Sequence, residues 1–229
     1  MVTPFDIDSS VLGQLHSKSL PDITRRVFLK CAATPFFSSG HWYLAGGTAL
    51  ALQVGHRQSV DLDFFTPEES FNEKKIEETL SAAGTWKTSS LDRGTVYGEF
   101  QGAKMSLIAY PFFSPAHPFL QAGTISILTP PDIASMKITA ISQRGKKRDF
   151  IDLYWLSLHV QPLLKSIESS MKQYSVRQNQ NHILKSLVFF DDADSDPMPP
   201  LLFDATWEGI KKYFREETKN IAKRLLGLE

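Results

Sequence analysis

A single cysteine, Cys31, among 229 residues excludes an intramolecular disulfide, and its apolar neighbours in FLKCAATPFF predict a buried, inert thiol on the inner side of a helix. No apolar run reaches the ~18 residues that read as a membrane-crossing helix. The opening MVTPFDID is acidic and lacks the basic start of a secretory signal, so a cytoplasmic location with no membrane partner is expected. Charge of either sign is not in excess: Lys+Arg 25 balance Asp+Glu 25, which excludes a global field for nucleic acid and makes any polyanion site local. The histidines lack metal-ligand spacing, and of them only His56, beside Arg57, is placed to meet a phosphate. Also missing are a G-x-x-x-x-G-K-[ST] loop, a G-x-S-x-G elbow, a Cys-His nucleophile pair and any internal repeat. Zinc, serine-hydrolase and thiol chemistries fall away, and phosphoryl-type transfer is the chemistry left. A content of 42% hydrophobic and 22% charged residues is enough for one or two folded domains with ample core.

What the chain does have is concentrated in WYLAGGTALALQVGHRQSVDLDFFT, residues 42–66. It reads as a short strand (Trp42 to Ala45), a Gly46-Gly47 turn, a helical run (Thr48 to Val54) and a second strand carrying Asp61 and Asp63. Side chains two apart on a strand share a face, so the two carboxylates converge while Leu62 and Phe64 turn to the other side. Without a cation they repel, and hard oxygen ligands in this number suit Mg²⁺, which completes its shell with water and substrate phosphates. Paired glycines let backbone N–H groups approach a polyphosphate, and the following helix offers the positive end of its dipole.

Along the rest of the chain, PDITRRVFLKCAATPFF predicts a helix packed through Ile23, Val27, Leu29 and Cys31. Phe71 to Ala83 is an amphipathic helix closed by Gly84, and Trp86 to Ser90, Thr95 to Phe100 and Lys104 to Tyr110 form a meander that extends the first sheet. Thr129 with Asp132 caps a helix that begins at Pro130; Lys137 and Arg144 lie on one face of it. Gly145-Lys146-Lys147 breaks it, and a second helix from Arg148 to Leu158 presents Asp149 and Asp152. On composition alone these charges read as surface salt bridges of little worth. Leu163 to Phe190 and Phe203 to Leu226 read as helical, joined by the acidic, proline-rich segment 191–200, expected to be a solvated loop.

The glycine pair, the spacer ending in His56-Arg57-Gln58-Ser59 and Asp61-Leu62-Asp63-Phe64-Phe65 together resemble the nucleotidyltransferase signature, and their wording is similar to the AbiEii/AbiGii-type nucleotidyltransferase toxins of bacterial toxin–antitoxin and phage-defence systems. The resemblance spans roughly residues 40 to 160 and implies an α/β (α+β) fold. A nucleotidyltransferase-like mixed sheet with flanking helices (1–128) would be followed by a mainly helical C-terminal half (129–229) that completes the site. It implies an NTP substrate held by Gly46, Gly47, Thr48, Arg57, Ser59 and Arg144, with Mg²⁺ on Asp61 and Asp63. Lys137 would steady the triphosphate, and Asp152 or Asp149 would be the late acid. It further implies transfer of a nucleoside monophosphate to a hydroxyl of RNA, tRNA or protein, and a cognate antitoxin. Such folds carry a third carboxylate on a strand beside the D-x-D strand, and here the matching position is Ser106; Glu99 on the neighbouring strand is a weaker candidate. That departure keeps two other readings open: a nucleotide-binding protein without transfer activity, and a non-enzymatic interaction module.

Overall fold

The chain divides at Thr129, where a strand-rich part gives way to helices, and a computed structural model describes residues 13–39 and 41–228 of it. The opening MVTPFDID lies outside the described residues. Two compact units are formed, the first by the chain up to Ser114 with Pro118–Thr129, the second by Pro115–His117 with Pro130 onward. No helix among the described residues is long and apolar enough to cross a membrane.

The first unit is built on a mixed seven-stranded sheet of order β3-β4-β5-β2-β1-β7-β6. Its strands are β1 (Tyr43–Ala45), β2 (Leu62–Thr66), β3 (Trp86–Asp92), β4 (Thr95–Phe100), β5 (Ala103–Ala109), β6 (Leu120–Ala122) and β7 (Ile125–Ile127). Helices α1 (Asp22–Ala32), α2 (Phe36–Ser39), α3 (Gly46–Val54) and α4 (Glu73–Ala83) belong to the same unit. Alternation along the strands sorts the two faces. Leu44, Leu62, Phe64, Val96, Phe100, Met105 and Leu107 form one buried face, while Asp63, Phe65, Tyr97 and Lys104 stand on the other with partial or full exposure.

Helix α1 keeps the predicted position but not the predicted phase. Thr24, Val27, Phe28 and Cys31 are buried, at the spacing of one helical face, whereas Ile23 and Leu29 are exposed. Cys31 is fully buried, and loss of solvation pushes its thiol up to about 12. The helix stops at Ala32 ahead of Pro35 because the residue before a proline disfavours helical backbone. Asn72 caps α4 by accepting from the Lys75 N–H at 3.0 Å. Strands β6 and β7, not anticipated from the sequence, have three residues each, too few to show a period.

The second unit is helical: α5 (Pro130–Arg144), α6 (Lys147–His159), α7 (Leu163–Gln173), α8 (Gln180–Ser186), α9 (Asp191–Asp194) and α10 (Trp207–Leu225). The segment 163–190, expected to be helical, holds two helices with a break after Gln173, and Asn179 caps the second by accepting from His182 N–H. Phe150 centres the core, its ring 5.1 Å from Phe190, 5.9 Å from Trp207 and 5.3 Å from Phe214. The acidic segment is largely exposed, as its composition suggests, but it opens with a helical turn and is pinned rather than loose. Asp194 accepts from the Trp207 indole N–H at 2.5 Å and from Lys211 at 3.0 Å, and Asp196 accepts from the Lys147 backbone N–H at 3.1 Å, capping α6 from a distant part of the chain. Asp132, fully buried, ties residues 115–117 into this unit by accepting from the N–H groups of Ala116 and His117 at 3.1 and 3.0 Å and pairing with the His117 ring.

Candidate active site

Strand pairing brings the separate pieces of the Gly-Gly and D-x-D motif to one level of the sheet. Ala45 on β1 is in register with Asp63 on β2, and Asp63 is in register with Ser106 on β5. Directly paired residues point to the same face, so the chain position that opens the glycine turn, the acidic strand and the third strand meet there. Leu62 and Phe64 are fully buried on the opposite face, and Asp61, just before β2, keeps the alternation of Asp63 and Phe65 and is half-buried like them.

Gly46 has φ +71°, the left-handed region, and a Cβ placed on it would lie 3.3 Å from Asp63 Oδ2. Two independent requirements thus select glycine: backbone conformation and the close approach of a carboxylate. Gly46→Ala is expected to cost about 1–2 kcal/mol of stability from backbone strain alone. It should lower activity more than stability, because it displaces Asp63; comparing thermal midpoint with transfer rate in one variant checks this. Helix α3 starts at Gly46 behind an N-cap residue, Ala45, whose methyl side chain cannot cap it, and the positive end of its dipole lies at the level of Asp63.

The carboxylate of Asp63 is anchored from the other side. Ser106 donates its hydroxyl to Asp63 Oδ1 at 2.5 Å, so the residue found in place of a third carboxylate orients the second one. Thr48 and Ser59, both expected at the phosphate, are buried: the Thr48 hydroxyl donates to the Asp61 carbonyl and lies 2.9 Å from the Ser59 hydroxyl. These side chains fasten α3 to the start of the acidic strand, and what Thr48 can offer an anion is its backbone N–H. His56 and Arg57 are buried as well, and Arg57 Nη1 donates to the Gln58 carbonyl at 2.9 Å. Glu99 is one strand beyond Ser106 and cross-strand to Lys104 and Lys87, exposed.

Lys137, Arg144, Asp149 and Asp152, the charges of the two helices on either side of Gly145, fold into an ionic cluster within the helical unit. Lys137 on α5 lies 2.7 Å from Asp149 Oδ1 and 2.6 Å from Asp152 Oδ2, and Arg144 Nε lies 3.3 Å from Asp149 Oδ2. Asp149 and Asp152 are 0% exposed and Lys137 5%. This is a correction to the reading of these charges as surface salt bridges, and Lys137 is engaged rather than a mobile point charge. The spacing explains it: positions seven apart on α5 and three apart on α6 each share a helix face, and the turn at Gly145 (φ +52°) sets the faces opposite one another. Burial by itself would raise the Asp149 carboxyl, but the Lys137 ammonium and Arg144 guanidinium outweigh it and hold the group below the ordinary carboxylate range.

Set beside known proteins, the chain matches the family model of the nucleotidyl transferase AbiEii toxin, type IV toxin–antitoxin system, over residues 27–100 and 103–224. It belongs to that family. An uncharacterized protein of Aquifex aeolicus (strain VF5) is 34% identical over 185 residues, 78% of this chain and 86% of that protein. A crystal structure of a protein from H. pylori described as a nucleotidyltransferase aligns with a TM-score of 0.52 at 17% identity, covering 90% of this chain and 97% of that one. MenT4, a nucleotidyltransferase toxin from Mycobacterium tuberculosis H37Rv, aligns with a TM-score of 0.52 at 12% identity over 93% and 89% of the two chains. At these identities the two structures establish a shared nucleotidyltransferase-like fold for this AbiEii family member. The family match also reaches far beyond the span that its motifs alone had indicated, into α10.

Proposed function

We propose that this AbiEii family member transfers a nucleoside monophosphate from an NTP to a hydroxyl at an RNA end, a tRNA being one acceptor that the family resemblance implies, and that it acts in the cytoplasm as a toxin restrained by a cognate antitoxin. The observation that carries the proposal is the single level at which Gly46, Asp63 and Ser106 meet, beneath the open N-terminus of α3.

In this reading the N–H groups of Gly46, Gly47 and Thr48 hold phosphate oxygens. Asp61 and Asp63 fit Mg²⁺, which takes one or two carboxylates and fills its shell with phosphate oxygens and water. Among the described residues no group of three or more His, Cys, Asp or Glu could hold a metal, so phosphate and water oxygens supply the remaining ligands. Bound there, the ion supplies positive charge against the phosphate oxygens. The acceptor oxygen bonds to the α-phosphorus, the bond from that phosphorus to the bridging oxygen breaks, pyrophosphate leaves, and one of the two carboxylates takes the hydroxyl proton. Positioning and fixed charge provide the acceleration. Lys137, Arg144 and Asp152 remain in the proposal as the second family motif, together with Arg57 and Ser59 as residues that brace the first.

The test is a transfer assay with each labelled NTP, with and without Mg²⁺, against total RNA and against protein. Label in RNA supports the proposal; label in protein alone, or nucleotide binding without transfer, overturns it. The last outcome is the one that Ser106 in place of a carboxylate makes specific, and two substitutions probe it. Ser106→Ala removes the group that orients Asp63 and is expected to lower transfer by about 10- to 100-fold. Ser106→Asp places a third carboxylate in register with Asp63 and should make the thermal midpoint depend on Mg²⁺, falling without the ion and recovering with it.

A further inference from the structure

The sheet face that carries Asp63 continues away from α3, and its next exposed side chain is aromatic. Tyr97 on β4 is in register with Ser106, which is in register with Asp63. The four positions Ala45, Asp63, Ser106 and Tyr97 therefore form one row across β1, β2, β5 and β4, all on the same face. At ~4.8 Å between neighbouring strands, Tyr97 stands about 10 Å from Asp63 along this row. Tyr97 is 43% exposed, whereas Val96 and Phe100 on the same strand are buried on the opposite face. Lys104 and Lys87 lie on the same face, both exposed, on either side of Glu99, while Asp92 stands on that face near the opposite end of β3, so the two lysines lie together on one side of the ring.

We propose that Tyr97 is a base-stacking position for the unpaired end of the acceptor RNA. The inference rests on the proposed function, because it takes Asp63 as the level of the α-phosphate. Displacement at phosphorus sets the attacking and leaving oxygens in line, on opposite sides of the phosphorus. With the phosphates at the N-terminus of α3, on the β1 side of Asp63, the leaving pyrophosphate lies toward β1 and the attacking hydroxyl comes from the β5–β4 side. That is the side on which Tyr97 stands. An aromatic face flanked by lysines suits a single strand, whose unstacked bases bind rings without regard to sequence while cations track the phosphates; a duplex keeps its bases inside. The bland alternative is an exposed tyrosine kept only for its strand preference.

The experiment measures fluorescence anisotropy of a labelled single-stranded RNA dodecamer, and of the same strand in a duplex, at one fixed salt concentration. Parent, Tyr97→Ala, Tyr97→Leu and Tyr97→Phe proteins are compared, with NTP affinity and thermal midpoint measured on each. Expected is single-strand binding about tenfold weaker in the alanine and leucine variants, near-parental binding in the phenylalanine variant, weaker binding of the duplex, and unchanged midpoints. Parental single-strand affinity in Tyr97→Ala and Tyr97→Leu, or equal binding of duplex and single strand, overturns the stacking position while leaving the transferase reading intact. Loss of NTP affinity with RNA affinity unchanged would assign the ring to the incoming base and overturn its assignment to the acceptor. A parent protein that transfers nucleotide to no RNA overturns both.

Discussion

Asp63→Asn is expected to lower nucleotide transfer by at least about a hundredfold while the thermal midpoint moves little. Asparagine preserves the shape of the side chain, and its single amide oxygen can still accept from the Ser106 hydroxyl. What disappears is the negative charge, the property that a cation needs. Asp61→Asn removes the second carboxylate of the same face, and its backbone carbonyl still accepts from Thr48, so the link between α3 and the acidic strand is retained. Transfer rate and thermal midpoint measured side by side decide the matter. Variants that transfer at the parental rate would make the pair structural and end the proposed function.

Lys137→Ala is expected to destabilise the helical unit by about 3–5 kcal/mol, because it removes the cation that two buried carboxylates share and leaves only Arg144 beside Asp149. The sign of the pH response separates this from an ordinary cavity. In the parent, Asp149 is held below its unfolded value, so its contribution is present above that value and is lost as pH falls through the lower folded one. In Lys137→Ala burial and the neighbouring Asp152 oppose ionisation of Asp149, and only the half-exposed Arg144 is left to favour it. Protonation then relieves the destabilisation, and the gap between variant and parent should narrow from neutral pH to about pH 5. Thermal midpoints across that range test it, and a pH-independent gap would show that the cost is packing alone. Lys137→Arg should recover only part of the stability, since a planar fork cannot repeat two contacts made from one nitrogen. Nucleotide affinity measured in Lys137→Arg, where folding is retained, reads any further role of the cluster in binding triphosphate.

Much of the first unit was legible because its determinants are local. A glycine pair, a short apolar strand before it and an alternating acidic strand after it are set by spacings of a few residues, and so are the end of α4 at Gly84 and the break at Gly145. The mixed sheet with flanking helices, the convergence of the motif's ends and the family followed from these local patterns and from the resemblance they support. Other features depend on partners distant in the chain, which periodicity does not reveal. The phase of α1 was misread because Ile23 and Leu29 are apolar yet exposed, while Thr24 is buried through a hydrogen bond to the Val60 carbonyl. Strands β6 and β7 exist through pairing, not through their own length.

By itself, the sequence determined the glycine pair between a strand and a helix, the alternation of the acidic strand, the order of the strands and helices before Pro111, and the absence of disulfide, zinc and nucleophilic-serine motifs. Tertiary structure alone decided what the charged residues do. Asp149, Asp152 and Lys137 could have been a solvated pattern on two helices, and only the packing of α5 against α6 removes them from water and forces them to neutralise one another. The acidic segment was pinned in the same way, by an indole, a lysine and the bare N-terminus of α6. Ser106 reads in the sequence as a missing ligand, and in the sheet it is the hydroxyl that orients Asp63. The physical reason is common to all three: the energy of a charge or hydroxyl depends on its solvation and on the few groups within hydrogen-bond reach, and both are set by residues far away in the chain.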